Sequence, residues 1–414
     1  MNYLNKKVAI LGYGIEGQDV EKFLQTEKAK VAVLDKKFDE NYLENLKNFD
    51  VIVRSAGVYR FLPEIVEAEK SGITITSPIK IFFENCPAKI IGVTGTKGKG
   101  TTSTLIYEIL KKAKKDVYLA GNIGKPYLEL LPKLTKDSWV ILEMSSFQLI
   151  DLNISPHIAV VLNITSDHMD WHKDQDEYVN AKKNIVSHQS INDFSVINEE
   201  YESSKNFAKL TKAKIVFFSK PKLQDKFKTG LLLRGEHNLE NIAAAVSVGK
   251  ILGINDEEIL EVVRNFKGLE HRLELVNTID DITFYNDSFA TGPQPTIAAI
   301  NSFTESETLI LGGSDKGLNY SELGKVVSQK ENVKNIILIG LIRDQIKKYI
   351  INKNILDLGT STMLEIVKKA FEITPKGGVV ILSPAAASFD MFENYKDRGN
   401  QFKSAVNTLN GQKN

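Results

Sequence analysis

Short apolar runs alternate with amphipathic stretches along nearly the whole chain. VAIL (8–11) is a run short and apolar enough for a strand buried on both faces. GYGIEG (12–17) then opens a helix expected to end near Glu27, and VAVLD (31–35) is a second strand. VIVRSAG (51–57) and ITIT (73–76) supply further strands of this first block. A second block opens with strand-like KIIGVTG and the amphipathic helix TTSTLIYEILKKAKK. WVILEMSSF and IAVVLNIT read as two more strands, EYVNAKKNIVSH as a helix, and LENIAAAVSVGKIL as the long apolar helix that closes the block. In the third block TLILGG (308–313), NIILIG (335–340) and GVVILSP (378–384) alternate with helical stretches.

Strand–helix alternation of this kind predicts parallel sheets joined by crossover helices. The fold class expected is α/β in three domains. A Rossmann-like N-terminal domain spans 1–87, a central P-loop ATPase-type parallel-sheet domain spans 88–268, and a Rossmann-like C-terminal domain spans 269–414. A chain of 414 residues is too long for one ordinary core, in keeping with that division.

Composition narrows the function classes. With 53 Lys and Arg against 52 Asp and Glu, there is no basic surplus to neutralise phosphates, so no nucleic-acid partner is expected. KKAKK (111–115) reads as a solvated helix face. Cys86 is the single cysteine, which excludes an internal disulfide and suits a reducing compartment. No apolar stretch approaches the roughly 18 residues of a membrane helix, and MNYLNKKVAILGYG runs straight into a strand. A cytoplasmic protein without membrane insertion is expected.

Three motifs carry chemistry. GYGIEG with Asp35, 21 residues beyond Gly14, matches the dinucleotide fingerprint of strand, turn, helix and acid. Its physics says only that a diphosphate suits the helix N-terminus, where free N–H groups and the helix dipole favour anions. GTKGKGTT (95–102) is a second phosphate-type loop. Gly95, Gly98 and Gly100 let backbone N–H groups turn towards one anion, and Lys99 adds a point charge. Gly100 stands where the strict P-loop pattern has a hydroxyl, which moves to Thr101 or Thr102. Two such loops heading separate domains do not fit a simple dehydrogenase. In SDHMDWH (166–172), His168 and His172 have the spacing of two zinc ligands on one helix face, yet Asp167 and Asp170 make the cluster oxygen-rich and favour Mg2+. Glu143 ends the apolar strand WVILE, at the strand end where α/β sheets bind ligands.

GTKGKGTT, LEMSSFQL, TSDHMDWH, GEHNLENIAAA and EHRLE, in that order, resemble the Mur ligase superfamily, the ATP-dependent amide-forming enzymes of peptidoglycan synthesis. YNDSFATGP, LGGSDKG and SPAAASFDMFENYKDRGNQF resemble its D-glutamate-adding branch, and the likeness covers essentially the whole chain. The resemblance implies that ATP phosphorylates the alanine carboxylate of UDP-N-acetylmuramoyl-L-alanine and that D-glutamate attacks the acyl phosphate. It implies ATP contacts from Gly95, Thr96, Lys97, Gly98, Lys99, Gly100, Thr101 and Thr102, with Asn238 and Asn241 on the adenine side and Arg272 and Asp287 at phosphate and ribose. ATP would lie between the second and third domains. Lys99, Glu143, His168 and Lys182 are the implied catalytic set: Thr101 and Glu143 hold one Mg2+, and His168 serves a second with Lys182 as a CO2-derived carbamate.

The resemblance further assigns Gly14, Ile15, Asp35, Ser55 and Gly57 to the UDP moiety, with Asn122 and His168 nearer the muramoyl-alanine end. Thr291, Lys316, Ser388 and Tyr395 match the glutamate positions. A monomer is expected. Three departures stand out: Gly100 in the loop, Phe289 where the branch commonly has lysine, and Tyr395 for a common phenylalanine. GKG in the loop also suggests folylpolyglutamate synthase, and GYGIEG with Asp35 an NAD-dependent oxidoreductase. Phe289 is the one feature that would suit a non-catalytic nucleotide-binding module.

Overall fold

The computed structural model of the protein describes residues 1–122 and 126–411. The first sheet is parallel, with β1 (Lys7–Leu11), β2 (Lys30–Leu34), β3 (Val51–Arg54) and β4 (Thr74–Thr76) in the order β2-β1-β3-β4. The second is also parallel, with β5 (Lys89–Thr94), β6 (Val117–Gly121), β7 (Trp139–Glu143), β8 (Ile158–Val161), β9 (Phe194–Asn198) and β10 (Lys214–Phe218) in the order β10-β9-β8-β5-β7-β6. The third contains β11 (Glu274–Ile279), β12 (Ile282–Asn286), β13 (Glu307–Gly312), β14 (Val333–Ile339), β15 (Asn354–Gly359) and β16 (Val379–Leu382), ordered β11-β12-β16-β13-β14-β15. Only its β11–β12 pair is antiparallel. The fold is α/β with three sheets, as the alternation predicts.

Most strands that read as continuous apolar runs lie inside their sheets, though β2 is an edge strand. The four residues of β8 and the last four of β1 are all buried, because crossover helices cover both faces. Strands missing from the sequence reading are the edge strands β6, β10, β11 and β15 and two interior, mostly buried ones, β9 and β12. The β11–β12 hairpin turns on Asp280 and Asp281, both at positive φ (48° and 67°), where the usual signal would be Asn-Gly or Asp-Gly.

The chain packs as two compact units, Met1–Lys228 with Leu239–Val263, and Thr229–Asn238 with Arg264–Asn414. The first two sheets therefore share one unit, and one cluster of buried side chains runs from Ile10, Val20 and Phe82 to Leu142 and Ile185. In the second unit, separate apolar clusters cover the two faces of the third sheet, one around Leu309 and Leu338 and one around Ile310 and Val380. Each sheet has one topological switch, where consecutive crossovers leave in opposite directions: β1/β3, β5/β8 and β13/β16. The crevice outside the strand C-termini at such a point is where open α/β sheets take ligands.

Candidate active site

At the first switch, the turn after β1 leads into the helix Ile15–Thr26. A Cβ on Gly17 would lie 2.3 Å from the Gly12 carbonyl oxygen, so the turn closes only with glycine there. Gly14, Ile15, Asp35, Ser55 and Gly57 line one cavity of about 440 Å3, together with Tyr13, Lys36 and Tyr42. Asp35 accepts from the backbone N–H groups of Lys37 (2.8 Å) and Tyr13 (2.6 Å), which hold its carboxyl below the usual range. Ser55 Oγ donates to the Gly12 carbonyl at 2.7 Å. Asn122 and His168 are not among the residues lining this cavity.

Glu16, inside the same fingerprint, faces the second sheet. Its carboxylate accepts from Gln148 Nε2 (2.6 Å), Tyr127 Oη (2.9 Å) and the Ala56 N–H (3.1 Å). Arg54, fully buried, makes two 3.2 Å contacts to the Asp151 carboxylate and donates to the carbonyls of Val58 (2.7 Å) and Phe147 (2.9 Å). Within this unit the two sheets are held in register by buried charge. The sequence reading missed both residues, although Arg54, like Glu143, is a charged residue ending an apolar strand.

At the second switch, Gly98 (φ +85°) caps the helix Lys99–Lys112, and a Cβ there would sit 2.2 Å from Asn241 Oδ1. Asn241 Oδ1 accepts from Thr102 Oγ1 at 3.2 Å, so the loop, the helix start and Asn241 form one packed piece. Lys99 Nζ donates to the carbonyls of Gly95 and Thr96, both at 3.0 Å, and so lies inside the loop's curve. Thr96 ties the loop to the segment after β8, accepting from Thr165 N (2.8 Å) and lying 2.9 Å from Tyr178 Oη. Gly95, Gly100, Thr101 and Thr102 are buried, whereas Lys97 is exposed. Asn238 Nδ2 donates to the Arg234 carbonyl at 2.6 Å, within the second unit.

Lys182, on the helix Gln175–Ser187, is fully buried behind this loop. Its Nζ lies 3.1 Å from the Gly95 carbonyl, 3.3 Å from Thr94 Oγ1 and 4.7 Å from the Tyr178 ring centroid. Burial, aided by the Lys99 cation, pushes its pKa well below that of an ordinary lysine. Glu143 is buried at the end of β7, paired in register with Val93 of β5, and its charge reaches Lys182. Lys99, Thr101, Glu143 and Lys182 thus gather around the end of β5.

The zinc spacing of His168 and His172 does not produce a metal pair. The segment is a turn rather than a helix, with His168 at φ +56°. The imidazole of His172 is buried, with Nδ1 3.0 Å from Glu177 Oε1 and Nε2 2.9 Å from Ser146 Oγ. A carboxylate can only accept, so Nδ1 carries the proton, Nε2 accepts from the serine, and no lone pair is left for a metal. Burial lowers the His172 pKa. His168 is half exposed, its ring 4.8 Å from that of Phe147 and its Nε2 3.5 Å from Asp167.

In the second unit, the loops after β12, β13 and β16 meet at the third switch, with Ser314 N donating to the Ala387 carbonyl at 2.9 Å. Asp287 accepts from Ser383 Oγ (2.7 Å) and Leu273 N (3.1 Å), and burial pushes its carboxyl up to about 7. Arg272 is flanked by two non-glycine residues at positive φ, His271 (63°) and Leu273 (42°). Such conformations cost roughly 1–3 kcal/mol each and persist where surroundings over-determine them. Here Phe289 N donates to the His271 carbonyl (2.9 Å), and Asn286 Nδ2 donates to His271 Nδ1 (3.0 Å).

Ser388 is buried, Thr291 and Tyr395 are half-buried, and Lys316 lies in the exposed loop after β13. Arg398, which the sequence reading quoted within KDRGNQF without a role, is fully buried. It donates to Ser288 Oγ and the Ser288 carbonyl (both 2.9 Å), to the Ala386 carbonyl (3.1 Å) and to the Ala387 carbonyl (3.3 Å). It staples the loop after β12 to the loop after β16.

Known proteins resemble this chain in sequence and in fold. Residues 93–231 match the Mur ligase middle domain. A UDP-N-acetylmuramoylalanine–D-glutamate ligase of Acetivibrio thermocellus is 38% identical over 98% of this chain and 97% of its own. The enzyme of the same name from Clostridium tetani is 37% identical over the same shares. Among solved structures, UDP-N-acetylmuramate-alanine ligase MurC from Thermotoga maritima superposes with a TM-score of 0.60 at 16% identity, covering 99% of this chain and 100% of that one. MurF ligase from Thermotoga maritima, solved in complex with ADP, gives 0.58 at 17% identity over 98% and 96%. At such identities these two speak for the fold alone. The full-length relatives settle the family: the chain belongs to the Mur ligases, in the branch of the UDP-N-acetylmuramoylalanine–D-glutamate ligases.

Proposed function

We propose that this chain joins D-glutamate to UDP-N-acetylmuramoyl-L-alanine with hydrolysis of ATP to ADP and phosphate, as a cytoplasmic monomer in peptidoglycan precursor synthesis. The observation that carries the reading is the group around the end of β5: a glycine loop closed by Lys99, with Thr101, Glu143 and a buried Lys182 beside it. An oxygen of the alanine carboxylate attacks the γ-phosphorus, and the bond from that phosphorus to the ADP oxygen breaks. The amine of glutamate then attacks the acyl carbon, the bond to phosphate breaks, phosphate leaves, and the nitrogen gives up a proton. The protein supplies position and charge for both steps. Lys99 and the N–H groups of the loop neutralise the β- and γ-phosphates. Arg272 is assigned to phosphate, Asp287 to ribose, and Asn238 and Asn241 to adenine.

Thr101 and Glu143 offer oxygen donors of the kind Mg2+ takes, and His168 with modified Lys182 a second set. Among the described residues no group of three or more His, Cys, Asp or Glu side chains converges. That suits an ion which completes its shell with phosphate oxygens and water. Bound there, Mg2+ would neutralise phosphoryl charge. The environment of Lys182 favours a neutral amine, which attacks CO2 and loses a proton to become an anionic carbamate. Gly14, Ile15, Asp35, Ser55 and Gly57 are assigned to UDP, Asn122 and His168 to muramoyl-alanine, and Thr291, Lys316, Ser388 and Tyr395 to glutamate. The dinucleotide fingerprint then needs no nicotinamide, since the helix Ile15–Thr26 offers its N-terminus to any diphosphate.

Phosphate release from ATP tests the reading, with each substrate omitted in turn and L-glutamate set against D-glutamate. Release should require both UDP-N-acetylmuramoyl-L-alanine and D-glutamate. Release indifferent to either one overturns it.

A further inference from the structure

Arg272 and Phe289 form a pair that the hydrogen-bond networks do not explain. Arg272 is exposed, and among the described residues its guanidinium carries no hydrogen bond and no ion pair. What it has is a ring: its guanidinium carbon lies 4.6 Å from the Phe289 ring centroid. A guanidinium over an aromatic face is attracted by the ring quadrupole and loses freedom to swing, yet keeps its N–H donors available. Phe289 is 44% exposed. It is held edge-on by Tyr395 at 5.0 Å, and Tyr395 is edge-on to His271 at 5.9 Å. The backbone is fixed from the same side, because Phe289 N bonds the His271 carbonyl and Asp287 bonds Leu273 N. Both neighbours of Arg272 are thus pinned in strained conformations while its side chain rests on Phe289. A lysine at 289 would set a second cation beside Arg272 and repel it, whereas the phenyl ring attracts it.

We propose that Phe289 is a positioning residue, holding the Arg272 guanidinium ready for a phosphate oxyanion of the nucleotide. The inference rests on the reading of Arg272 as a phosphate contact. The ring acts through the arginine, so its removal should be felt by ATP more than by glutamate, whose assigned contact Tyr395 it also touches.

The test is a double-mutant cycle on the full-length enzyme, with steady-state kinetics for ATP and for D-glutamate. Phe289→Leu should lower kcat/KM for ATP by about two- to fivefold, the size of an exposed cation–π contact, with a smaller effect on KM for D-glutamate through Tyr395. Phe289→Tyr, which keeps a ring face, should restore the ATP value. In an Arg272→Ala background, Phe289→Leu should add nothing. Loss in Arg272→Ala with a silent Phe289→Leu overturns the platform and leaves the phosphate contact standing. A full, additive loss from Phe289→Leu in that background also overturns it, since the ring would then act without the arginine. An Arg272→Ala enzyme with unchanged ATP kinetics sinks the phosphate-contact reading itself, and this inference with it.

Discussion

Replacing Lys182 by methionine should separate stability from activity. Its ammonium is fully buried, so dehydration costs several kcal/mol. Against that stand two long hydrogen bonds to neutral oxygens, at 3.1 and 3.3 Å, contributing about 1 kcal/mol each. The Tyr178 ring at 4.7 Å adds about 2 kcal/mol for a desolvated cation. These roughly offset the dehydration, and repulsion from Lys99 tips the balance towards a neutral amine. Methionine fills much of the same volume without charge, so urea unfolding should find the variant within about 1–2 kcal/mol of wild type, on either side. Activity should nevertheless fall about 100- to 1000-fold, the usual loss when a preorganised charged group leaves a phosphoryl site. Lys182→Ala, which leaves space, should be partly rescued by formate or acetate, and isotope-labelled bicarbonate should give a carbamate carbon signal in wild type alone. Retention of most activity in Lys182→Met refutes the reasoning outright. Lost activity without carboxylate rescue and without the carbamate signal means that Lys182 acts as an amine.

Three further outcomes follow from particular contacts. Glu307 is fully buried with Asn332 on one oxygen, and burial pushes its carboxyl up to about 8. The protonated form therefore belongs to the folded state: its contribution is complete below the ordinary carboxylate pKa of about 4.3 and is lost as pH rises through about 8. The difference in unfolding free energy between Glu307→Gln and wild type should grow in favour of the variant across that window, to a ceiling on the order of 5 kcal/mol, and parallel curves from about pH 5 to about pH 9 contradict it. Gly98→Ala meets a positive φ and a Cβ 2.2 Å from Asn241 Oδ1, so ATP titration should show affinity weakened by about tenfold or more; unchanged affinity means that the loop relaxes freely. Arg54→Ala leaves Asp151 largely buried with only Arg60 Nε, at 3.6 Å, and should lower stability by about 3–5 kcal/mol in urea unfolding. Adding Asp151→Asn should recover part of that loss, and strict additivity would show that the pair is not coupled.

How much of this was legible depended on the sequence distance over which each feature acts. Gly95, Gly98 and Lys99 sit in one local turn, so their spacing alone announced a phosphate cradle. β5, β7 and β8 announced themselves as buried strands because both faces are covered and most positions are apolar. The β11–β12 hairpin stayed hidden because its turn is Asp280–Asp281, and β10 because three of its five residues are exposed. The His168/His172 spacing, set aside as a zinc pair in the sequence, marks no helix face: periodicity locates a helix face only if a helix forms, and His168, at positive φ, lies outside any helix. Arg54 and Asp151 are 97 residues apart, and nothing local to either marks the other. Arg398 reaches Ser288 across 110 residues and was equally silent.

SSFQL, one of the segments that carried the family likeness, changes meaning once its contacts are in view. Ser146 bonds His172, the Phe147 carbonyl takes Arg54, and Gln148 takes Glu16. His172 and Arg54 are buried and Glu16 is partly buried, and none of Ser146, Phe147 and Gln148 lines the cavity of the first sheet. Ser145 and Gln148 also form the capping box that starts this short helix. The segment is therefore a joint between the first two sheets as well as a neighbour of Glu143. Glu16 gives GYGIEG the same double character, since its glycines shape the diphosphate turn while its carboxylate anchors that turn to Tyr127 and Gln148. A ligase of this kind must bring a carboxylate carried by one nucleotide to the terminal phosphate of another, and a displacement of about 1 Å costs about two orders of magnitude in rate. Tying the first helix N-terminus to Tyr127 and to Gln148, just beyond β7, through the Glu16 carboxylate meets that demand within one compact unit. Glu16→Gln should then weaken kcat more than it weakens binding of the UDP substrate, and a loss confined to KM for that substrate would return Glu16 to the role of a simple binding residue.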